Sequence, residues 1–114
     1  MAAHVFIVMT NAEEGLEDEF NAWYDEQHIP DVLRVPGIKA VQRFRLSGKQ
    51  RLDPPYPYKY LSIYEIESDD LDEVITPLKE WLGTERMPRS AAMKSERAAF
   101  FFEPITDRAV RPGD

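Results

Sequence analysis

The chain has 114 residues, 43% hydrophobic and 31% charged, with a net charge of −7 and no cysteine. This describes one soluble domain with a single modest core, of a size that often gains stability by pairing. The acidic balance argues against nucleic acid and anionic membrane surfaces, no apolar run approaches the roughly 20 residues that cross a bilayer, and the lack of cysteine removes disulfides, thiol catalysis and thiolate metal sites. The first residues lack a charged start followed by a long apolar stretch. No secretory signal is therefore expected, and the cytoplasm is the expected compartment.

Residues 4–10 are short, β-branched and aromatic, and predict a first strand. Asn11 can cap the helix that follows, and Glu13, Glu14 and Glu17 suit its positive end. Leu16, Phe20 and Trp23 then recur at helical spacing, which predicts a helix over 13–28. Pro30 is expected to end it and to push Ile29 out of helical geometry. It can also open a short new turn over 30–34, which Pro36 and Gly37 close. Residues 38–46 predict a second strand, with Ile38, Ala40, Gln42, Phe44 and Leu46 on one side and Lys39, Val41, Arg43 and Arg45 on the other. The Gly- and Pro-containing stretch 47–57 is a loop, long enough to read as a lid or binding loop.

A third strand is expected over 58–66, with Tyr58, Tyr60, Ser62 and Tyr64 on one face and Leu61 and Ile63 on the other. Ser68 or Asp69 caps a second helix over 70–82, whose apolar stripe is Leu71, Val74, Ile75, Leu78 and Leu82 and which Pro77 can kink. Residues 83–95 read as irregular or partly helical, and 97–103 as the last strand. The domain thus spans 1–103, with a tail over 104–114. Strand, helix, strand, strand, helix, strand is the split βαβ, or ferredoxin-like, order: an α+β fold with a four-stranded antiparallel sheet and both helices on one face. Tyrosines and phenylalanines would make the other face too apolar to leave wet, so a face-to-face homodimer is expected.

The run Trp23-Tyr24-Asp25-Glu26-Gln27-His28-Ile29-Pro30-Asp31, followed by Pro36-Gly37 and Arg43-Phe44, resembles the signature of the dimeric α/β-barrel superfamily, and within it the EthD-like branch. The likeness runs from residue 4 to residue 103. It implies a homodimer with a pocket between sheet and helices in each subunit. Superfamily members include cofactor-free monooxygenases, cyclases and dehydratases of polyketide and aromatic metabolism, haem-linked enzymes, isomerases and stress proteins, so the fold does not choose among activities.

His28 is the first candidate site residue. It stands at a helix end near the Leu16/Phe20/Trp23 stripe, with Tyr24 one turn earlier and Asp25 and Asp31 close enough in sequence to orient its ring. It can act as acid or base, or simply cap the helix. In cyclase-like members of the superfamily a first-strand histidine works with the helix histidine, and His4 roughly matches that position. By alternation it shares a face with Phe6. Tyr24, Tyr58, Tyr60 and Tyr64 can line an aromatic pocket or pack at an interface. Trp23 reads as core. Arg43 and Arg45 can bind a carboxylate or enolate, or bridge two subunits. Arg86 and Arg89 flank Pro88 and read as a gate or as a solvated loop. No spacing calls for a metal, and no nucleotide, flavin or nucleophile-elbow motif is present.

These residues lead to an expected cofactor-free enzyme acting by proton transfer on a hydrophobic, aromatic or polyketide-like small molecule. It would be a lyase, cyclase, dehydratase or isomerase. His28, Tyr24 and Asp25 would be catalytic; His4, Phe6, Asp31, Arg43 and Tyr60 would contact substrate. The alternatives are a cofactor-free monooxygenase and a non-catalytic dimer that binds a small ligand.

Overall fold

The computed structural model describes residues 3–113; Met1, Ala2 and Asp114, at the ends of the expected domain and tail, lie outside the described residues. Strands β1 (Ala3–Thr10), β2 (Ile38–Arg45), β3 (Tyr60–Glu67) and β4 (Ala98–Phe102) form one sheet in the order β2-β3-β1-β4. Every neighbouring pair is antiparallel. Between β1 and β2 run α1 (Glu17–Trp23), a π-helical turn (Tyr24–His28) and α2 (Ile29–Val32), and α3 (Asp72–Trp81) follows β3. The ferredoxin-like expectation is met: α+β, a four-stranded antiparallel sheet, helices on one face.

Strand alternation decides which residues meet the helices. In β3, Tyr60, Ser62, Tyr64 and Ile66 are buried, and the register pairs them with Thr10, Val8, Phe6 and His4 of β1. One cluster joins Val8, Tyr64 and Ile66 to Val32, Val35, Ile38, Val74 and Met87; a second joins Phe20, Tyr24, Tyr60 and Ala92. The tyrosines thus pack under the helices, a correction to the expectation that they form the open face. That face instead carries Val5, Ile7, Met9, Leu61 and Ile63 with Phe44, Phe100 and Phe102, which are 40%, 57% and 52% exposed.

The second strand departs from simple alternation. Ile38 pairs with Ile66 and Ala40 with Glu65, so Lys39 is an extra residue, a β-bulge. Beyond it the frame flips. Val41 and Arg43 pair with Tyr64 and Ser62 on the helix side, together with Ile38, while Phe44 pairs with Leu61 on the open side. Local sequence contains no trace of this, because a bulge exists only relative to a partner strand.

The first helical region also differs from expectation. The helix begins at Glu17, with no side-chain cap. Asn11 instead donates to the Pro57 carbonyl (2.8 Å) and accepts from the Lys59 N–H (2.8 Å), pinning the end of the 46–59 loop. Pro30 does not break the helix: Ile29 keeps helical angles (φ −59°, ψ −49°). The Ile29 N–H bonds the Tyr24 carbonyl, five residues back. The widened turn just before Pro30 relieves the clash a proline ring makes with a regular helical carbonyl. Gly37 then turns the chain at φ +96°, where a Cβ would come within 2.8 Å of Val74 Cγ2. The close approach of α3 therefore requires glycine there. After β4, residues 103–113 are exposed and form no helix or strand.

Candidate functional site

A cavity of about 220 Å³ lies between the helix side of the sheet, the π-helical turn and α3. Phe6, Val8 and Thr10 of β1 and Ala99 and Phe101 of β4 floor it. Ile75, Leu78 and Leu82 close one side; Trp23, Tyr24 and His28 close another. The irregular segment 82–97 contributes Met87, Arg89 and Met93. That segment is held to the end of β1 by Glu13 N–H to Ala92 O (2.7 Å) and Lys94 N–H to Asn11 O (2.9 Å).

The π-helical turn sets His28 against aromatic rings. Its imidazole stacks on Trp23 (4.7 Å between centroids, 23° between planes) and meets the edge of Tyr24 (5.0 Å, 81°). The Trp23 indole N–H donates to the Pro88 carbonyl (3.2 Å), which fixes the ring on which His28 stacks. Burial pushes the His28 pKa down to about 4, against the opposing pull of the Asp31 carboxylate. The imidazole is therefore neutral at pH 7. Its Nδ1 is shielded and makes no hydrogen bond among the described residues.

Beside it, the Tyr24 and Tyr64 hydroxyls are hydrogen-bonded at 2.7 Å, and both side chains line the cavity. Burial raises the pKa of each phenol, with the Ser62 hydroxyl within hydrogen-bonding reach of both. Two hydroxyls own two protons, and their mutual bond uses one. The other is free to be donated, to Ser62 or into the cavity.

The remaining candidates fall elsewhere. Arg43 reaches up from β2 beneath α1, donating to Asp25 Oδ1 (2.8 Å) and Asn21 Oδ1 (2.8 Å). Its guanidinium lies 4.4 Å from the centre of the Tyr24 ring and also faces Phe20 and Tyr60. Tyr24 thus separates it from the cavity. Arg43 and Tyr60 line a different, shallower depression. Asp25 is exposed and committed to Arg43, so it does not orient His28. Asp31 is buried, but its oxygens accept from Gln27 (2.7 Å) and Arg34 (3.0 Å); it reaches His28 only as a charge. His4 is on the correct sheet face but outside the lining, paired with Ile66 across the sheet. Phe6 is in the floor. No residue of the stretch 47–57, read as a lid or binding loop, lines the cavity; residues between 49 and 56 line a separate depression of their own. Sequence reasoning missed Met87, Met93, Lys79 and Arg97, and left Arg89 between a gate and a solvated loop. The irregular segment carries no periodicity that could have placed them.

Among the described residues no group of three or more His, Cys, Asp or Glu side chains could hold a metal ion, and no helix is long and apolar enough to cross a membrane.

Two comparisons bear on this geometry. The pattern of a family described as a domain of unknown function (DUF4286) matches residues 3–76, from β1 into α3. The chain belongs to the DUF4286 family. This DUF4286 domain is also similar to the crystal structure of an ethyl tert-butyl ether d (EthD) family protein from Bacillus halodurans C-125. The TM-score is 0.54 at 12% identity, over 92% of this chain and all of the other. At that identity the likeness is one of fold, and it meets the expected EthD-like architecture at that level. No curated protein matches the chain. The matched stretch of the DUF4286 domain holds Tyr24, His28 and Tyr64 but stops short of Lys79, Arg89 and Arg97.

Proposed function

We propose that this DUF4286 domain is a small enzyme that moves a proton on a hydrophobic, aromatic or polyketide-like molecule bound in the cavity. The reaction would be that of a lyase, cyclase, dehydratase or isomerase. One observation carries the reading: a histidine held neutral lines the same cavity as a hydrogen-bonded tyrosine pair whose second proton can be donated into it. Neutral His28 accepts a proton from a carbon next to a carbonyl, becoming imidazolium as the substrate becomes an enolate. The Tyr24/Tyr64 pair donates a hydrogen bond to the enolate oxygen. Return of the proton to another carbon, or loss of hydroxide as water, completes the isomerisation or dehydration. Trp23 and the cavity floor position an aromatic ring. The working unit is a homodimer joined through the open sheet face, whose exposed phenylalanines want cover.

The test is deuterium uptake from D2O into a panel of aromatic β-dicarbonyl compounds, followed by NMR. His28→Gln is expected to slow uptake by about a hundredfold or more, and Tyr64→Phe to slow it less. Uptake indifferent to His28→Gln overturns the reading. A second reading, a dimer that binds a small ligand without turnover, draws on the same pKa: a base near 4 is weakly basic for work at pH 7. Binding with no uptake in any compound would select it.

A further inference from the structure

The walls of the cavity and its mouth differ in chemistry. The walls are apolar. Lys79, Arg89 and Arg97 also line the cavity, and all three are exposed, which places them where it meets solvent. They come from three separate places: α3, the irregular segment, and the residue before β4. Among the described residues no Asp or Glu lines the cavity, although the chain carries 21 acidic residues against 14 Lys and Arg. Among the described residues the salt bridges are Arg34–Asp31 and Arg43–Asp25, so none of the three cations is ion-paired there.

The backbone leading into Arg89 is held in place, and its side chain runs over Gly83. Its Nε stands 2.9 Å from where a Cβ on Gly83 would be, so the guanidinium arm packs into the space that glycine leaves. Three hydrogen bonds fix the backbone around it: Gly83 N–H to Met87 O (2.8 Å), Trp23 Nε1 to Pro88 O (3.2 Å) and Arg34 Nη2 to Arg86 O (2.6 Å). Arg97 continues the helix-side row of Ala99 and Phe101, and its Nη1 donates to the nearby Ser95 carbonyl (3.3 Å). Guanidinium groups present forked donors that match a carboxylate, and an apolar wall behind them raises the strength of each charge-assisted bond.

We infer that the cavity takes a small aromatic or apolar acid, its ring body against Phe6, Leu78 and Phe101 and its carboxylate at Arg89, Arg97 and Lys79. This rests on the proposed use of the cavity as a ligand site, and not on any turnover there. It narrows the substrate class from hydrophobic to hydrophobic and anionic.

The experiment titrates the intact chain with 1-naphthoate and with 1-naphthamide, matched in shape and different in charge, by calorimetry and by ¹H–¹⁵N NMR. The acid is expected to bind about tenfold tighter or more, and its advantage to shrink as salt is raised. In Arg89→Gln and Arg97→Gln the advantage is expected to fall away, with the amide bound as before. Equal binding of acid and amide overturns the inference. So does an advantage that survives in both variants, or a failure of either compound to shift cavity residues. The two proposals fail separately: an acid preference without His28-dependent proton exchange keeps this inference and removes the enzymatic reading.

Discussion

At the scale of single residues, His28 shows how burial outweighs neighbouring charge. The Asp31 carboxylate favours the imidazolium, yet desolvation against Trp23 and Tyr24 dominates and brings the pKa to about 4. An unfolded chain holds this histidine near 6.5. Between those values the unfolded state binds more protons, so acid favours unfolding. The stability that goes with neutral His28 is complete above about pH 6.5 and lost as pH falls through about 4, a change of about 3 kcal/mol. Urea unfolding of the native chain and of His28→Gln at pH 7 and pH 4 measures it. The gap between the two proteins should move by that amount in favour of the variant at pH 4; an unchanged gap would mean an unburied ring. That His28 lies beside the Trp23 and Tyr24 rings was legible from helical spacing; its expected place at a helix end was not met, because the helix runs on past Pro30 to Val32. Its electrostatic partner was not legible. Asp25 and Asp31 are equally close along the chain, and only the folded turn gives the first to Arg43 and the second to Gln27 and Arg34.

At the scale of elements, the turn between α2 and β2 has the least latitude. Gly37 combines φ +96° with a Cβ position 2.8 Å from Val74, a residue with no exposure at all. Gly37→Ala is expected to cost about 2–4 kcal/mol, from backbone strain plus displacement of α3, read as a lower urea midpoint with an unchanged slope. Pro36-Gly37 was recognisable as punctuation from sequence, and so were all four strands and the stripe of α3. Elements whose residues repeat with a local period can be read locally. The irregular segment 82–97 has no period, and its hold on residues 11–13 is a long-range backbone pairing. The cavity's cations were therefore the part of the site least visible beforehand. Asn11 misled for a related reason: an asparagine before a helix is usually a cap, and here the same side chain serves a loop 46 residues away.

At the scale of the whole molecule, one sheet face is packed and the other is bare. Phe44, Phe100 and Phe102 stand exposed on it above Ile7, Leu61 and Ile63. A monomer seldom leaves such a patch in water. Light scattering should give twice the chain mass, and Phe100→Asp with Phe102→Asp should halve it with the circular dichroism spectrum preserved. A native chain of single mass would remove the homodimer from the proposal. Which residues reach that face is settled partly by chain length. Lys39 is the one residue of β2 with no counterpart in β3, so length changes in this strand are not equivalent. A chain that lost Lys39 would run β2 as a regular strand, with Ile38, Val41 and Arg43 still turned toward the helices. A residue gained between Val41 and Arg43, with the bulge kept at Lys39, would instead turn Arg43 out among the phenylalanines. It would strip Tyr24 of its cation and set a charge on the face proposed to pair.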